Sequence, residues 1–386
     1  MRRVLEMQAD RIEMVLMQHK APARVAGGIV TPRWVQFHLS PALGTRLSRV
    51  ENLTEEIALA LGASNVRVSR HGATTNGFGL QAGTIRIDVP RTDAQVVKLI
   101  DVCRRLPSVP FGTAVLGLAD DGAPLLLRLP SPDVAHVLIA GTTGSGKTAL
   151  TQSMILSLAI AHRRSQVQLV LIDPKGRAFE PLAELPHLLK PIVIDPHEAA
   201  ATLAELVLIM EARDRTRVSL PRIVVAIDEL ADLVSSAGRP LIESLTRLAQ
   251  RGREAGIHLI ACTQKPATSV LGPLIKANFP VRLVGRVTSI EDARVASGVS
   301  GSGAERLGGR GDFIAVSGMG ITRFQAAYIP IGEMLSIVDR LGSGQRGWEA
   351  EAAAKPPMPI APPLARYPLS FVQAVLNRFP HRAQAG

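Results

Sequence analysis

Short, mostly apolar runs recur through the second half of the chain, each separated from the next by a longer segment of mixed polarity. The runs are rich in valine, isoleucine and leucine, and they lie at residues 167–172, 192–194, 223–227, 257–262 and 281–287. Strands that are apolar on both faces and alternate with helices are typical of parallel sheets. From about residue 134 onward, the pattern therefore predicts an α/β fold with a largely parallel sheet.

The residues before this region show a different pattern, in which apolar and polar positions alternate. Residues 1–21 predict an amphipathic helix that packs against this subunit or a neighbouring one. After a proline and glycine break at residues 22–28, strands and helices are expected at residues 34–39, 54–61, 66–68, 85–89 and 93–106. Residues 22–112 are therefore expected to form a small α/β domain.

Two further features set the limits of the larger domain. Apolar strands on either side of residues 120–122 predict a hairpin between residues 114 and 129. Beyond residue 340 the pattern decays into a proline-rich stretch at residues 355–363, which is typical of a stiff linker, and a short helix at residues 370–378. We therefore expect the larger domain over residues 113–340 and a tail over residues 341–386.

The most specific chemistry lies between a strand at residues 136–140 and the apolar helix that follows. The connecting segment has the pattern G-x-x-x-x-G-K-[ST], which wraps the phosphates of a bound nucleotide. It consists of Gly141, Thr142, Thr143, Gly144, Ser145, Gly146, Lys147 and Thr148. Glycines let backbone N–H groups point at the phosphates, and the start of the helix adds the positive end of its dipole. Lys147 is expected to reach the β- and γ-phosphates and Thr148 to hold Mg²⁺, so the segment predicts binding of ATP or GTP.

Two acidic residues directly follow the apolar strand at residues 223–227. Ligands bind at the carboxyl ends of parallel strands, so Asp228 and Glu229 are expected beside the phosphates. There Asp228 would hold Mg²⁺ through its water shell, and Glu229 would orient and polarise the attacking water. The alternative is that the two acids only cap the helix that follows them. Downstream of a phosphate-binding segment, the pair favours hydrolysis over passive nucleotide binding.

A third candidate, Gln264, stands at the end of the next apolar strand. A polar side chain on a strand beside the phosphates is placed to contact the γ-phosphate or its water. It would then couple the state of the nucleotide to the segment beyond it. The alternative is a surface amide at the end of a strand.

Composition excludes several classes of protein. Hydrophobic residues make up 46% of the 386 residues, yet no apolar run approaches the roughly 20 residues needed to span a bilayer. The N-terminal segment is too highly charged for a signal peptide, so we expect a cytoplasmic protein without direct membrane insertion. Cys103 and Cys262 are the only cysteines, which does not indicate a disulfide framework, and the nine histidines show no zinc-site spacing.

The charge balance indicates a polyanionic partner. The chain has 44 lysines and arginines against 33 acidic residues, a net charge of +11. Basic residues also outnumber acidic ones between Arg239 and Arg323, and nucleic acid is the simplest partner for such a surface. Aromatic residues make up only 3% of the chain, so base stacking on single strands is poorly supported. Lysine and arginine contacts to phosphates are independent of sequence and suit a protein that must move along any sequence.

Taken in order along the chain, the motifs resemble the motor domain of the FtsK/SpoIIIE family of DNA translocases. The resemblance covers roughly residues 25–329 and includes the phosphate-binding segment, the paired acids and the strand that ends at Gln264. Further matching segments are residues 47–53, 66–68, 173–175, 185–189, 274–282 and 308–312. The resemblance implies a RecA-like P-loop NTPase fold preceded by the small α/β domain of the family.

The resemblance also implies partners and a shared site. It implies a ring, expected to be a homo-hexamer, that hydrolyses ATP with Mg²⁺ and moves double-stranded DNA through its pore. Each nucleotide would lie between subunits and be completed by an arginine from the neighbour. By family position this arginine is Arg282, with Arg253, Arg294 and Arg310 as alternatives. The glycine-rich residues 298–311 would form either a mobile pore loop or a plain flexible connection.

The chain departs from the cell-division members of the family in two respects. It shows neither a multi-helix membrane anchor nor a recognisable winged-helix module after the motor. We therefore expect DNA segregation or plasmid or integrative-element transfer, or work beside a separate membrane-bound partner, rather than chromosome-dimer work at a division septum. Two other interpretations stay open, namely an ATPase motor for polypeptide secretion and a nucleotide switch that is not a motor.

Overall fold

The computed structural model describes residues 2–63, 66–71, 75–76, 79–80, 84–106, 108–264 and 278–344. The chain divides into two compact units, Met1–Val96 and Val97–Gly386. This division falls earlier than the boundary that the sequence predicts between residues 112 and 113. The physical reason is that Lys98 and Tyr328 form a β-bridge, which joins the start of the second unit to its large sheet. Most of the expected tail, residues 345–386, lies outside the described residues.

The first unit combines a long helix, two short helices and an antiparallel sheet. In chain order its elements are α1 (Arg2–Gln18), β1 (Ala23–Val30), β2 (Trp34–Pro41), α2 (Leu47–Glu51), α3 (Thr54–Leu61), β3 (Arg67–His71), β4 (Thr75–Asn76), β5 (Gly79–Leu80) and β6 (Thr84–Pro90). Four strands form one sheet in the order β1-β2-β6-β3, and β4 pairs with β5. The buried side chains of Ile12 and Leu16 on α1 join those of Phe37, Ile57 and Ile87 in one apolar core.

The strand β1 is the main departure from the pattern expected in this unit. The sequence predicts a proline and glycine break at residues 22–28, but Ala23–Val30 pairs with β2. The register shifts between Val25 and Gly27, and a side chain at Gly28 would clash with the carbonyl oxygen of Gln36. The glycines therefore allow a bulge in the strand and a close approach of the neighbouring backbone. Both are common reasons for glycine inside a strand.

The second unit contains the remaining helices and strands. They are α4 (Leu99–Arg104), β7 (Thr113–Ala119), β8 (Pro124–Arg128), β9 (Val137–Ala140), α5 (Lys147–Ala161), β10 (Val167–Ile172), α6 (Pro196–Thr216), β11 (Arg222–Ile227), α7 (Leu230–Arg251), β12 (Ile257–Thr263), β13 (Val281–Val284), α8 (Ile290–Ser297), β14 (Asp312–Ser317), β15 (Gly320–Ala326) and α9 (Ile331–Gly342). Short 3₁₀ helices lie at Glu180–Leu182 and Ala304–Arg306. The helix expected at residues 93–106 is shortened to α4.

One nine-stranded sheet organises this unit, in the order β10-β11-β12-β9-β13-β14-β15-β7-β8. The strands from β10 to β13 in that order are mutually parallel, which confirms the predicted parallel sheet. From β13 to β8 every pairing is antiparallel. The predicted hairpin between residues 114 and 129 is β7 and β8. Residues 192–194 are not a strand, and only a single bridge joins Val193 to Ile172.

Apolar side chains on both faces of the parallel strands explain why their sequences lack alternation. Along β10, Leu169 and Leu171 enter the core on one face, whereas Val170 and Ile172 enter the core on the other. Burying each such side chain contributes roughly 1.5–3 kcal/mol. The carboxyl ends of these strands are thereby fixed along one edge, where the polar residues that follow them meet. Among the described residues, no helix combines the length and apolarity needed to cross a bilayer.

Candidate functional site

Three of the parallel strands deliver the predicted site residues to one edge of the sheet. The strand β9 ends at Ala140 before the phosphate loop, the name used here for residues 141–148. On the neighbouring strand β12, Thr263 pairs in register with Ala140 and precedes Gln264. On β11, Ile227 lies in register with Ala261 of β12 and precedes the two acids. The structure thus brings together the groups that the sequence places far apart.

The phosphate loop closes into a tight wrap at the start of α5. Gly144 and Gly146 have φ angles of +79° and +103°, a left-handed conformation that glycine adopts without strain. The buried Lys147 folds its ammonium group back on the loop, donating to the carbonyl oxygens of Gly141 at 2.7 Å and Thr142 at 3.2 Å. Burial lowers the pKa of Lys147, and the negative charges of Glu229 and Asp228 oppose that effect. Phosphate oxygens would supply further negative charge to the same ammonium group.

Thr148 and Asp228 meet on the side of the loop nearest to β11. The Thr148 hydroxyl donates to Oδ1 of Asp228 at 3.3 Å. Burial raises the pKa of Asp228, and the negative charge of Asp173 raises it further, while the Thr148 hydrogen bond lowers it. A hydroxyl and a carboxylate in a pocket of unbalanced negative charge are oxygen ligands of the kind that Mg²⁺ prefers. The donor set therefore fits the predicted metal.

Glu229 is buried and is held by the residue that follows β12 rather than by the helix that follows Glu229. Its Oε1 and Oε2 accept hydrogen bonds from the main-chain N–H of Gln264, at 3.1 and 3.2 Å. Although Glu229 precedes α7, its side chain makes no capping hydrogen bond, which is evidence against the helix-cap alternative. The side-chain oxygen of Gln264 in turn accepts from the Thr143 hydroxyl at 3.0 Å. Glu229, Gln264 and Thr143 thus form a continuous chain from the acids to the phosphate loop.

Asp173 and Lys175 are functional candidates to which the sequence assigns no role. The fully buried Asp173 carboxylate accepts from the N–H groups of Lys175, Gly176, Ala178 and Phe179, at distances of 2.7–3.2 Å. This turn directs Lys175 toward Asp232, which its ammonium group contacts at 2.9 Å. The Asp232 contact raises the pKa of Lys175, and the charges of Glu229 and Asp228 raise it further. The sequence could have indicated Asp173 by its position, because Asp173 directly follows β10 just as Asp228 directly follows β11.

A second segment supports the phosphate loop from the antiparallel side of the sheet. We call residues 308–311 the support loop. Arg310 and Gly311 donate their main-chain N–H groups to the carbonyl oxygens of Gly144 at 3.0 Å and Ser145 at 2.8 Å. A side chain on Gly146 would approach the Gly311 nitrogen to 2.8 Å, so the two glycines allow close packing. Residues 308–311 of the glycine-rich stretch therefore pack against the phosphate loop within one chain. This holds whatever the role of residues 298–307.

The four arginines considered for the neighbouring site differ in accessibility. Arg282, on β13, is only 9% exposed, and its guanidinium packs beneath Gly298. Burial lowers its pKa, and its Nη1 atom is buried without a hydrogen-bond partner in the described part of the chain. By contrast, the Arg294 side chain is 58% exposed on α8, where it pairs with Glu291. Arg253 precedes β12, at the sheet edge opposite to the phosphate loop, and Arg310 belongs to the support loop.

Comparison with protein families agrees with this geometry. The sequence model of the FtsK/SpoIIIE family matches residues 112–218 and 207–268. The model of the FtsK alpha domain matches residues 1–91, within the first structural unit. The chain belongs to the FtsK/SpoIIIE family. The phosphate loop, Asp228, Glu229 and Gln264 all lie inside the matched ranges.

Curated relatives in this family are similar over most of the chain. It is 32% identical over 365 residues to the DNA translocase FtsK of Sporosarcina ureae, covering 87% of this chain and 46% of that protein. It is 33% identical over 357 residues to the DNA translocase FtsK of Staphylococcus aureus strain COL, covering 85% of this chain and 44% of that protein. The chain thus spans about half the length of the curated relatives it matches.

Solved structures show the same fold at lower sequence identity. The monomer form of the pCW3 conjugation coupling protein TcpA with ATPγS has a TM-score of 0.57 and 18% identity, over 86% of this chain and 99% of that chain. The cytoplasmic domain of the type VII secretion ATPase EccC of Thermomonospora curvata has a TM-score of 0.54 and 24% identity, over 63% of this chain and 32% of that chain. The fold is therefore that of the P-loop ATPases, as the sequence predicts.

Proposed function

We propose that this FtsK/SpoIIIE-family chain is a motor that hydrolyses ATP and moves double-stranded DNA. The observation that carries the proposal is the meeting of Thr148 with Asp228 and of Glu229 with Gln264 at the phosphate loop. A site that only binds a nucleotide requires the phosphate loop. It does not require a buried carboxylate that is hydrogen-bonded to a neighbouring strand. The name DNA translocase, which its curated relatives bear, supports DNA as the substrate that is moved.

The residues at the site suit the two cofactors that the proposal requires. Lys147 would hold the β- and γ-phosphates, while Thr148 and Asp228 would hold Mg²⁺. Bound Mg²⁺ neutralises the charge that develops on the phosphates during transfer. Glu229, held through both of its oxygens, would orient the attacking water and accept its proton. Gln264 would report the state of the γ-phosphate through its link to Thr143.

The DNA contact in this proposal is electrostatic and independent of sequence. The chain has a net charge of +11, and basic residues are in excess between Arg239 and Arg323. Contacts from lysine and arginine to phosphates release counterions, so binding weakens steeply as salt increases. A motor that moves along any sequence needs contacts of this kind rather than base-specific ones. Segregation of DNA and transfer of a plasmid or integrative element are both compatible with it.

We further propose a ring of identical subunits, a hexamer by analogy with the family, in which an arginine of one copy completes the site of the next. Arg282 is the candidate by family position, but its burial means that its side chain must rearrange to reach a neighbour. Arg294, Arg253 and Arg310 are the alternatives. Replacing each arginine singly with alanine should identify the finger, because only that variant binds ATP normally, assembles on DNA and fails to hydrolyse.

ATP hydrolysis, measured with duplex DNA, with an unfolded polypeptide and with neither, tests the proposal. We expect duplex DNA to stimulate the rate and the stimulation to fade between about 50 and 200 mM salt. Stimulation by polypeptide but not by DNA would favour a secretion motor instead. An equal, low rate under all three conditions, with tight ATP binding, would favour a nucleotide switch. The mass of the assembly with and without ATP and DNA tests the ring.

A further inference from the structure

A polar cavity lies at the amino ends of the parallel strands, at the sheet edge opposite to the phosphate loop. It has a volume of about 860 Å³. Its lining comes from residues that precede β9 and β12 and from the C-terminal turns of α6 and α7, and it includes His136, Arg213, Arg217 and Arg253. This volume is within the range of small-molecule binding sites. In such sites a few polar groups point toward the same position and fix the ligand. The chemistry of the lining therefore decides what the cavity can hold.

His136 lines this cavity and carries a buried hydrogen-bond donor beside it. Its Nδ1 atom accepts a hydrogen bond from the main-chain N–H of Leu259 at 3.0 Å, so Nδ1 carries no proton. Burial, with the nearby His258 ring and the positive charge of Arg253, lowers the pKa of His136 to about 3. The ring is therefore neutral at pH 7, and its single proton is on Nε2. That Nε2–H is buried and has no partner among the described residues, so it lacks an acceptor.

Two of the arginines that line the cavity already have carboxylate partners. Arg251 contacts Asp214 at 2.6 Å, and Arg253 contacts Glu254 at 3.5 Å. These two pairs account for both acidic residues that line the cavity. The remaining arginines of the lining therefore have no carboxylate within the cavity to neutralise them.

Arg213 and Arg217 are these remaining arginines. Nη1 of Arg213 donates to the carbonyl oxygen of Ala255 at 2.9 Å, a bond to a neutral group. Burial lowers the pKa of Arg213, and the positive charge of Arg222 lowers it further, with no carboxylate opposing the shift. Arg217, at the exposed end of α6, makes no salt bridge with any residue that the structure describes. Both arginines thus bring positive charge to the cavity without a carboxylate partner.

The helix ends at the cavity only partly offset this excess. The C-termini of α6 and α7 each contribute about half a negative elementary charge. Four lining arginines against two lining carboxylates leave two full positive charges, and Arg222 adds another beside them. The balance stays positive, so the cavity attracts an anion.

We propose that this cavity binds a compact phosphate-bearing anion through the guanidinium groups of Arg213 and Arg217, with His136 in the lining beside them. A guanidinium group is a planar donor whose fork matches phosphate oxygens. The volume of about 860 Å³ suits a small anion rather than a strand of nucleic acid. The site is separate from the phosphate loop and does not depend on hydrolysis there.

The test titrates inorganic phosphate into the full-length Lys147→Ala variant, so that the phosphate loop does not compete. Selective ¹⁵N labelling of histidine follows the ring nitrogens of His136 by NMR. We expect an unprotonated Nδ1 and a protonated Nε2 before titration, and a saturable shift of the Nε2–H resonance as phosphate binds. A parallel titration with ADP establishes whether the phosphate of a nucleotide enters as well as the free ion. A saturable shift with either ligand supports the proposal.

Variants at the end of α6 provide matched controls. Arg217→Gln and Arg213→Gln should each weaken phosphate binding at least tenfold, since each removes an unpaired charge from the cavity. Arg215→Gln, on the same helical turn but outside the lining, should bind as the parent does. Arg217 is exposed, so its variant keeps the proposal testable even if Arg213→Gln does not fold. The proposal is overturned by the absence of a saturable shift, by equal weakening in Arg215→Gln, or by a response to duplex DNA but not to phosphate.

Discussion

The ion pair between Asp312 and Arg323 holds the support loop in place, and removing it should both destabilise the second unit and weaken nucleotide binding. Nε and Nη2 of Arg323 donate to the two carboxylate oxygens of Asp312 at 2.8 and 2.6 Å. The Gly308 N–H donates to the same carboxylate at 2.8 Å. The side chains of Arg323 and Asp312 are only 7% and 4% exposed, so solvent barely screens the pair.

Asp312→Ala removes the carboxylate to which Nε and Nη2 of the buried Arg323 donate. Breaking a buried pair in this way costs about 3–5 kcal/mol, and the lost acceptor of Gly308 adds roughly another 1 kcal/mol. The double variant Asp312→Leu with Arg323→Met removes both charges together. Most of the stability should then return, because replacing a buried pair with apolar residues of similar volume is often nearly neutral.

The assay combines urea unfolding, followed by circular dichroism, with titration of a fluorescent ATP analogue. The support loop bonds directly to the phosphate loop, so Asp312→Ala should weaken nucleotide binding and raise amide exchange in residues 308–312 and 141–148. Glu243→Gln is the control, since its pair with Arg239 is 66% and 90% exposed and should contribute at most about 1 kcal/mol. If Asp312→Ala and Glu243→Gln cost the same, or if nucleotide binding is unchanged in Asp312→Ala, the reasoning fails.

Four further outcomes are expected. Lys147→Ala should abolish nucleotide binding in an equilibrium titration, because it removes the only side-chain ammonium group within the phosphate loop. Glu229→Gln should bind ATP but turn over at least a hundredfold more slowly in a phosphate-release assay, and retained DNA-stimulated turnover would contradict its role. Gln264→Ala keeps its main-chain N–H, so it should hold Glu229 in place and bind ATP, yet lose most of the stimulation by DNA. The buried His136 and His258 have pKa values lowered to about 3 and about 4, below the 6.5 of an unfolded chain. The unfolded state therefore binds more protons, and the free energy of unfolding should fall by about 3 kcal/mol from pH 6.5 to pH 5; a flat urea midpoint over that range would contradict it.

The sequence predicted the parallel half of the large sheet because its strands carry a local signal. Residues 223–227 are apolar at every position and residues 167–172 at all but Gln168, a pattern typical of a strand buried on both faces. The strand β15 was missed because threonine, arginine and glutamine interrupt it, and β14 was missed because its apolar run is only four residues long. Their positions depend on pairing with distant partners, as when Phe324 pairs with Ala119 of β7. Such pairings leave little trace in a local pattern.

The same difference between local and long-range signals applies to the residues of the candidate site. The phosphate loop and the acids were predictable because each follows a strand, and parallel strands end along one edge. The bond from the Gln264 N–H to Glu229 was not, since a main-chain donor has no signature in the sequence. Asp173 was seen only as part of a motif, and its role as an acceptor for consecutive N–H groups required the structure.

The phosphate loop is anchored on two sides that belong to different parts of the sheet. On one side Thr143 bonds to Gln264, which holds Glu229 on the parallel strands. On the other side Ser145 bonds to Gly311, at the start of the antiparallel strands. In the proposed motor, a change at the γ-phosphate would act on both sides, because the loop is bonded to each of them. Because interiors are packed too tightly to absorb strain gradually, the loop is suited to switch between discrete states, as a motor requires.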